Sequence, residues 1–140
     1  MPLNATSTQE EKCAHYRDML QRYVAGVSKD DVDAVCALFA DDAIIEDPFG
    51  TEPMVGAAAV RAFYDSVAAR KVRLRILGPV TGSHSNAAGM QMEVSLLGTA
   101  LRCTSIAYFT EQGLISRYMA HWGPGDYDEA KGDPSQLQPE

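Results

Sequence analysis

Excess basic charge, a long apolar run and a cysteine framework are all missing from this chain of 140 residues. Its 12 Lys and Arg against 19 Asp and Glu leave a net charge of −7. That balance argues against nucleic acid or an anionic membrane as partner and suits a neutral, apolar small molecule. No stretch approaches the roughly 18 apolar residues of a membrane span. The opening Met1-Pro2-Leu3-Asn4-Ala5-Thr6 carries neither the basic nor the apolar region of a secretory signal, so a cytoplasmic location is expected. Cys13, Cys36 and Cys103 are odd in number, far apart and without CxxC spacing, as expected of reduced thiols that serve as small buried hydrophobes. GxGxxG, P-loop, HExxH and GxSxG patterns do not occur. His15, His84 and His121 fall in a helix, a turn and a strand, with no spacing that suggests a shared metal.

What is present is ordinary for one globular domain, at 46% hydrophobic and 22% charged residues. Ser7 to Glu10 and Thr8 to Glu11 are both capping-box spacings. From about residue 8, Cys13, Tyr16, Leu20, Tyr23, Val24 and Val27 then recur as a helical stripe. Ser28-Lys29-Asp30-Asp31 breaks it, and Val32, Val35, Cys36 and Phe39 predict a second, shorter helix. Gly56-Ala57-Ala58 opens a third, carrying Val60, Phe63, Tyr64 and Val67. The pattern then becomes β. Val72-Arg73-Leu74-Arg75-Ile76 alternates, as do Met90, Met92, Val94 and Leu96 with polar neighbours, and strands are expected over residues 101–109 and 114–122. Arg73, Arg75, Lys71 and Arg70 read together as a solvated sheet face. Residues 123–140 read as a polar, disordered tail, so the domain is expected to occupy residues 1–122. Helices first and a meander of strands last predict an α+β fold, with helices packed on a strongly curved, mainly antiparallel sheet that encloses an apolar pocket.

The centre of the chain is Glu46-Asp47-Pro48-Phe49-Gly50-Thr51-Glu52-Pro53. Pro48 cannot continue a ladder and holds its predecessor extended, so Asp47 closes a strand on the face shared with Ala43 and Ile45. If that face is the core side, desolvation raises the carboxyl pKa and makes Asp47 a candidate general base. A solvated turn aspartate is the alternative that the local sequence leaves open. Tyr23, Ser105, Tyr118 and Trp122 complete a candidate constellation. Tyr23 reads equally as core packing, and Met90 and Met92 as adaptable core or pocket liners.

Several blocks together resemble the bacterial Δ5-3-ketosteroid isomerases of the NTF2-like and SnoaL-like superfamily. They are Gln21-Arg22-Tyr23-Val24-Ala25, Leu38-Phe39-Ala40-Asp41-Asp42-Ala43, the Glu46–Pro53 block, Ala62-Phe63-Tyr64, Lys71-Val72-Arg73, Gly78-Pro79-Val80, Ser83-His84 and Ala120-His121-Trp122. The resemblance implies a cofactor-free enzyme that moves a proton within a 3-oxo-Δ5 steroid to give the conjugated Δ4 enone. By resemblance Asp47 shuttles the proton and Tyr23 donates to the 3-oxygen. Tyr64 supports Tyr23, Phe39 stands where a further supporting tyrosine occurs, and Met90, Met92, Tyr118 and Trp122 line the pocket. The family's protonated aspartic acid, its second oxyanion donor, falls on Ser105. Such proteins pair through the outer face of the sheet, so a homodimer is expected, with Val72, Leu74, Ile76, Leu97 and Met119 as apolar candidates for contact. A non-isomerising binder, carrier or polyketide cyclase-like protein for a flat apolar ligand is the alternative. No Asp-Arg-Asp set is placed by motif, which argues against an epoxide-hydrolase relative.

Overall fold

The first helix, α1, runs Gln9–Ser28 and starts at the second of the two capping boxes. The Glu11 amide donates to Thr8 Oγ1 at 3.1 Å, and the Thr8 amide donates to the Glu11 carboxylate at 2.8 Å. Its buried face, Tyr16, Met19, Leu20, Tyr23 and Val27, follows the three- and four-residue spacing that places side chains on one side. The computed structural model describes residues 3–128, and no helix among them is long and apolar enough to cross a membrane. Gly26 lets α1 approach the next helix closely, because a Cβ there would stand 2.8 Å from Val35 Cγ2.

Helix α2, Val32–Cys36, is capped by Asp31, whose carboxylate accepts from the Ala34 amide at 3.1 Å. It ends three residues before the expected Phe39. Phe39 instead opens strand β1, Phe39–Glu46, where it pairs with Ile115. Sheet pairing decides this: the Ile115 amide donates to the Leu38 carbonyl at 2.8 Å, which draws the chain out of the helix. A two-residue strand, β2 (Met54–Val55), lies between Pro53 and the third helix. Helix α3 is Ala57–Ala69, and β3 (Arg73–Ile76), β4 (Ala87–Leu96), β5 (Thr99–Phe109) and β6 (Ile115–His121) follow.

The sheet order is β2-β1-β6-β5-β4-β3. All of these pairings are antiparallel except β1 with β6, where Ile45 lies beside Tyr118 and Glu46 beside Met119. The curved sheet and its covering helices make the α+β, NTF2-like architecture expected from the sequence. Inward residues of β4 and β5 are buried alternately with exposed ones, as one wet sheet face requires.

Two expectations need correction. The chain does not leave the fold at residue 122, because a last strand, β7 (Tyr127–Asp128), pairs with Ala100 and Leu101 of β5. The rest of the tail, from residue 129, lies outside the described residues. The thiols are not uniformly buried either. Cys103 is, whereas Cys13 and Cys36 are only half-buried.

Candidate active site

The strand that ends at Glu46 is tied to its neighbour just beyond Asp47. The Phe49 amide donates to the Ala120 carbonyl at 2.7 Å. Thr51 closes the turn, its amide and hydroxyl both donating to the Pro48 carbonyl, at 3.1 and 2.7 Å. Gly50 supplies the positive φ of 100° that this turn needs. Asp47 is therefore held against β6, the strand that carries Tyr118 and leads into Trp122.

Asp47 is half-buried and lines an open-mouthed, mainly apolar cavity between the helices and the sheet. Val27 of α1, Phe63 and Val67 of α3, and Val72 and Leu74 around β3 form one wall. Met92, Val94 and Leu96 of β4 with Leu101 and Cys103 of β5 form another. Burial among these groups pushes the Asp47 carboxyl up to about 6, against donation from Trp122 and the attraction of Arg70. The Trp122 indole N–H donates to Asp47 Oδ1 at 2.9 Å, so the carboxylate has one fixed partner and one oxygen left for chemistry.

The floor of the cavity is aromatic. Tyr23, Tyr64 and Tyr118 are 4%, 2% and 1% exposed, yet all three line the cavity. The Tyr23 and Tyr64 hydroxyls lie 2.8 Å apart, and the Tyr23 and Tyr118 rings 4.6 Å apart. Burial raises all three phenols well above the usual tyrosine value of 10.0, so each is a neutral O–H donor at any physiological pH. The Asp47 charge adds to the rise at Tyr23, behind burial and Tyr64.

Ser105 and two other expected residues stand behind this surface. Ser105 is fully buried on β5 and does not line the cavity. Tyr118 covers it: the Tyr118 hydroxyl donates to Ser105 Oγ at 2.8 Å, and Cys103 Sγ lies 3.6 Å from the same oxygen. Phe39 packs behind the tyrosines, with ring centroids 5.7 Å from Tyr64 and 6.3 Å from Tyr23. Met90 is buried on the inner face of β4 but lies outside the lining, whereas Met92, two residues on, is in it. Val72 and Leu74 also face the cavity, so they cannot cover the outer face of the sheet.

Arg70 was missed by reading it with the neighbouring basic residues. Lys71 and Arg73 do point to solvent and share Asp30, at 3.1 and 2.9 Å, while Arg75 pairs with Glu93 at 3.3 Å. Arg70, by contrast, caps α3 and lines the cavity. No local signal set it apart in that run, because the end of α3 and not the strand alternation sets its direction. Cys103 was missed too, although it sits two residues from Ser105 on the same strand face.

A helix-covered curved sheet around an apolar pocket with one desolvated carboxylate defines a class of small-molecule pocket proteins. The chain belongs to the SnoaL-like domain family, whose profile matches residues 20–118. It is 29% identical over 115 residues to the Steroid Delta-isomerase of Nocardioides simplex, which covers 81% of this chain and 94% of that protein. A solved structure of SalBIII shares the fold, with a TM-score of 0.78 at 22% identity over 86% of this chain and 98% of that one. SalBIII is described as an epoxide hydrolase/cyclase-like enzyme with a role in pyran ring formation in the polyether salinomycin.

Proposed function

We propose that this protein is a cofactor-free steroid Δ-isomerase that converts 3-oxo-Δ5 steroids to conjugated Δ4 enones. The observation that carries the reading is Asp47: a single carboxylate, raised to about 6, in an apolar cavity floored by neutral phenols. A general base works best when its pKa lies near the operating pH, and burial brings Asp47 into that range. The carboxylate takes the proton from C4, and the C–H electron pair moves into a dienolate whose charge gathers on the 3-oxygen. The proton then passes from Asp47 to C6, so atoms and electrons balance without a co-reactant.

Tyr23 is the proposed donor to the 3-oxygen, with Tyr64 behind it. The proposed second donor is Tyr118: its proton, given to Ser105 Oγ in this structure, turns to the 3-oxygen on binding while the Ser105 hydroxyl donates to Tyr118 in return, since Ser105 itself lies beneath the cavity surface. A phenol is the less acidic replacement for the family's aspartic acid, so turnover about 10-fold or more below that of a two-donor relative is expected. Growth of enone absorbance on adding a 3-oxo-Δ5 steroid, lost in Asp47→Asn, tests the reading.

The alternative, a carrier or cyclase-like binder of a flat apolar ligand, draws on the missing acid at position 105. Spectroscopic binding of a phenolic steroid without any enone formation would favour it. A homodimer through the outer sheet face is part of the proposal. Leu97, 68% exposed, is the apolar candidate that remains open for it, whereas Met119 is buried within the chain. Light scattering that gives a monomer at micromolar concentration would remove the dimer.

A further inference from the structure

Two charged side chains line the cavity among the described residues, Asp47 and Arg70. The mechanism uses the first and gives the second no task. Arg70 caps the end of α3, where its amide and its Nε–H both donate to the Ser66 carbonyl, at 3.1 and 3.4 Å. That anchors the stem of the side chain and leaves the two terminal nitrogens of the guanidinium uncommitted. Arg70 makes no ion pair with any described residue, unlike its neighbours Lys71, Arg73 and Arg75, and it is the one basic side chain in the cavity lining among the described residues. The guanidinium is half-buried and shares the lining with Asp47, whose charge it attracts without an ion pair, so its terminal N–H groups stay open to a ligand.

The placement along α3 says which end of a ligand would meet it. Tyr64, whose hydroxyl pairs with that of Tyr23, lies six residues before Arg70, about 9 Å along the helix axis at 1.5 Å per residue. The tyrosine floor and Arg70 therefore stand at the two ends of one wall, with Val67 between them. An elongated flat ligand whose carbonyl reaches the tyrosines presents its far end to Arg70. In a chain of net charge −7, an anion gains entry only where a local cation offsets the general repulsion.

We propose that Arg70 binds a carboxylate at the far end of the ligand, so that the cavity prefers a steroid acid to a neutral steroid. The fork of the guanidinium suits a planar carboxylate in two parallel hydrogen bonds, which an ammonium group cannot reproduce. The inference rests on the steroid reading for the body of the ligand and adds the chemistry of its tail. Trp122 is the one tryptophan of the chain, and its indole is bonded to Asp47 at the cavity wall, so its fluorescence reports occupancy directly.

The test titrates a 3-oxo steroid carrying a side-chain carboxylic acid, and its methyl ester, into the full chain at low salt and at a pH where the acid is ionised. The acid is expected to bind about tenfold or more tighter than the ester, the range of a charge-assisted hydrogen bond, with a preference that shrinks as salt is added. Arg70→Gln should bring the acid down to the affinity of the ester, and Arg70→Lys should retain part of the difference. Equal binding of acid and ester by the native protein overturns the proposal alone. The same holds if Arg70→Gln weakens both by one factor, which makes Arg70 a support of the cavity rather than a reader of charge. If neither the acid nor the ester binds, the proposal and the steroid reading fall together.

Discussion

Replacing Asp47 by asparagine should stabilise the protein, and by an amount that depends on pH. The carboxyl titrates near 3.8 in the unfolded chain and near 6 in the folded one, chiefly because burial disfavours its charge. Between those values the folded state holds more proton than the unfolded state, so stability falls as pH rises through the window. The cost is small below about pH 4 and complete above about pH 7. At 1.36 kcal/mol per pH unit, the full cost is about 3 kcal/mol. Asparagine keeps the shape and the oxygen that accepts from Trp122 Nε1, but carries no charge to desolvate. Every other titrating group cancels in the difference between the two proteins. Urea denaturation of both should therefore give a stability gap in favour of Asp47→Asn of about 1 kcal/mol near pH 4.5, widening to about 3 kcal/mol near pH 8. A gap that stays constant across this range, or a variant less stable at pH 8, would refute the claim that the site holds its carboxylate at a cost. Enzymes commonly keep such strain where chemistry needs it, and its release should coincide with loss of turnover.

Three further outcomes follow from the same geometry. Tyr23→Phe should lower kcat about 10²–10³-fold, as removal of one oxyanion donor does, and should cost about 1–3 kcal/mol of stability because the buried Tyr64 hydroxyl loses its partner; a kcat loss below about threefold would make Tyr23 a core residue. Trp122→Phe removes the donor that holds the Asp47 carboxyl down, so the acid limb of the kcat/KM profile should move above its native position near pH 6; an unmoved limb would separate Trp122 from the base. Tyr118→Phe should reduce kcat more than Ser105→Ala, because Tyr118 lines the cavity and Ser105 only positions it; the reverse order would make serine the donor.

Much of the fold could be read because its signals are local. The Thr8–Glu11 box, the Tyr16-Leu20-Tyr23-Val27 stripe and the alternation from Met90 to Leu96 each fix an element within a few residues. Asp47 was legible for the same reason, since Pro48 ends a strand wherever it falls. What escaped depended on neighbours distant in the chain. Phe39 sits in β1 because Ile115 pairs with it, and β7 exists because β5 offers a free edge at Ala100 and Leu101. The inward turn of Arg70 is invisible in a basic run of Arg-Lys-Val-Arg, because helix termination rather than strand alternation sets its direction. Ser105 shows the other limit. Its strand face could be counted, but only packing reveals that Tyr118 lies over it.

The central claim is that one carboxylate carries a proton from one carbon of a steroid to another. The most direct measurement follows a 3-oxo-Δ5 steroid labelled with deuterium at the C4 position that loses its proton, in ordinary water. The product enone should carry a substantial share of the label at C6 with the native chain, and Asp47→Asn should form almost no enone. Enone formed at native rate by Asp47→Asn, or no enone from the native chain despite saturating steroid binding, would contradict it.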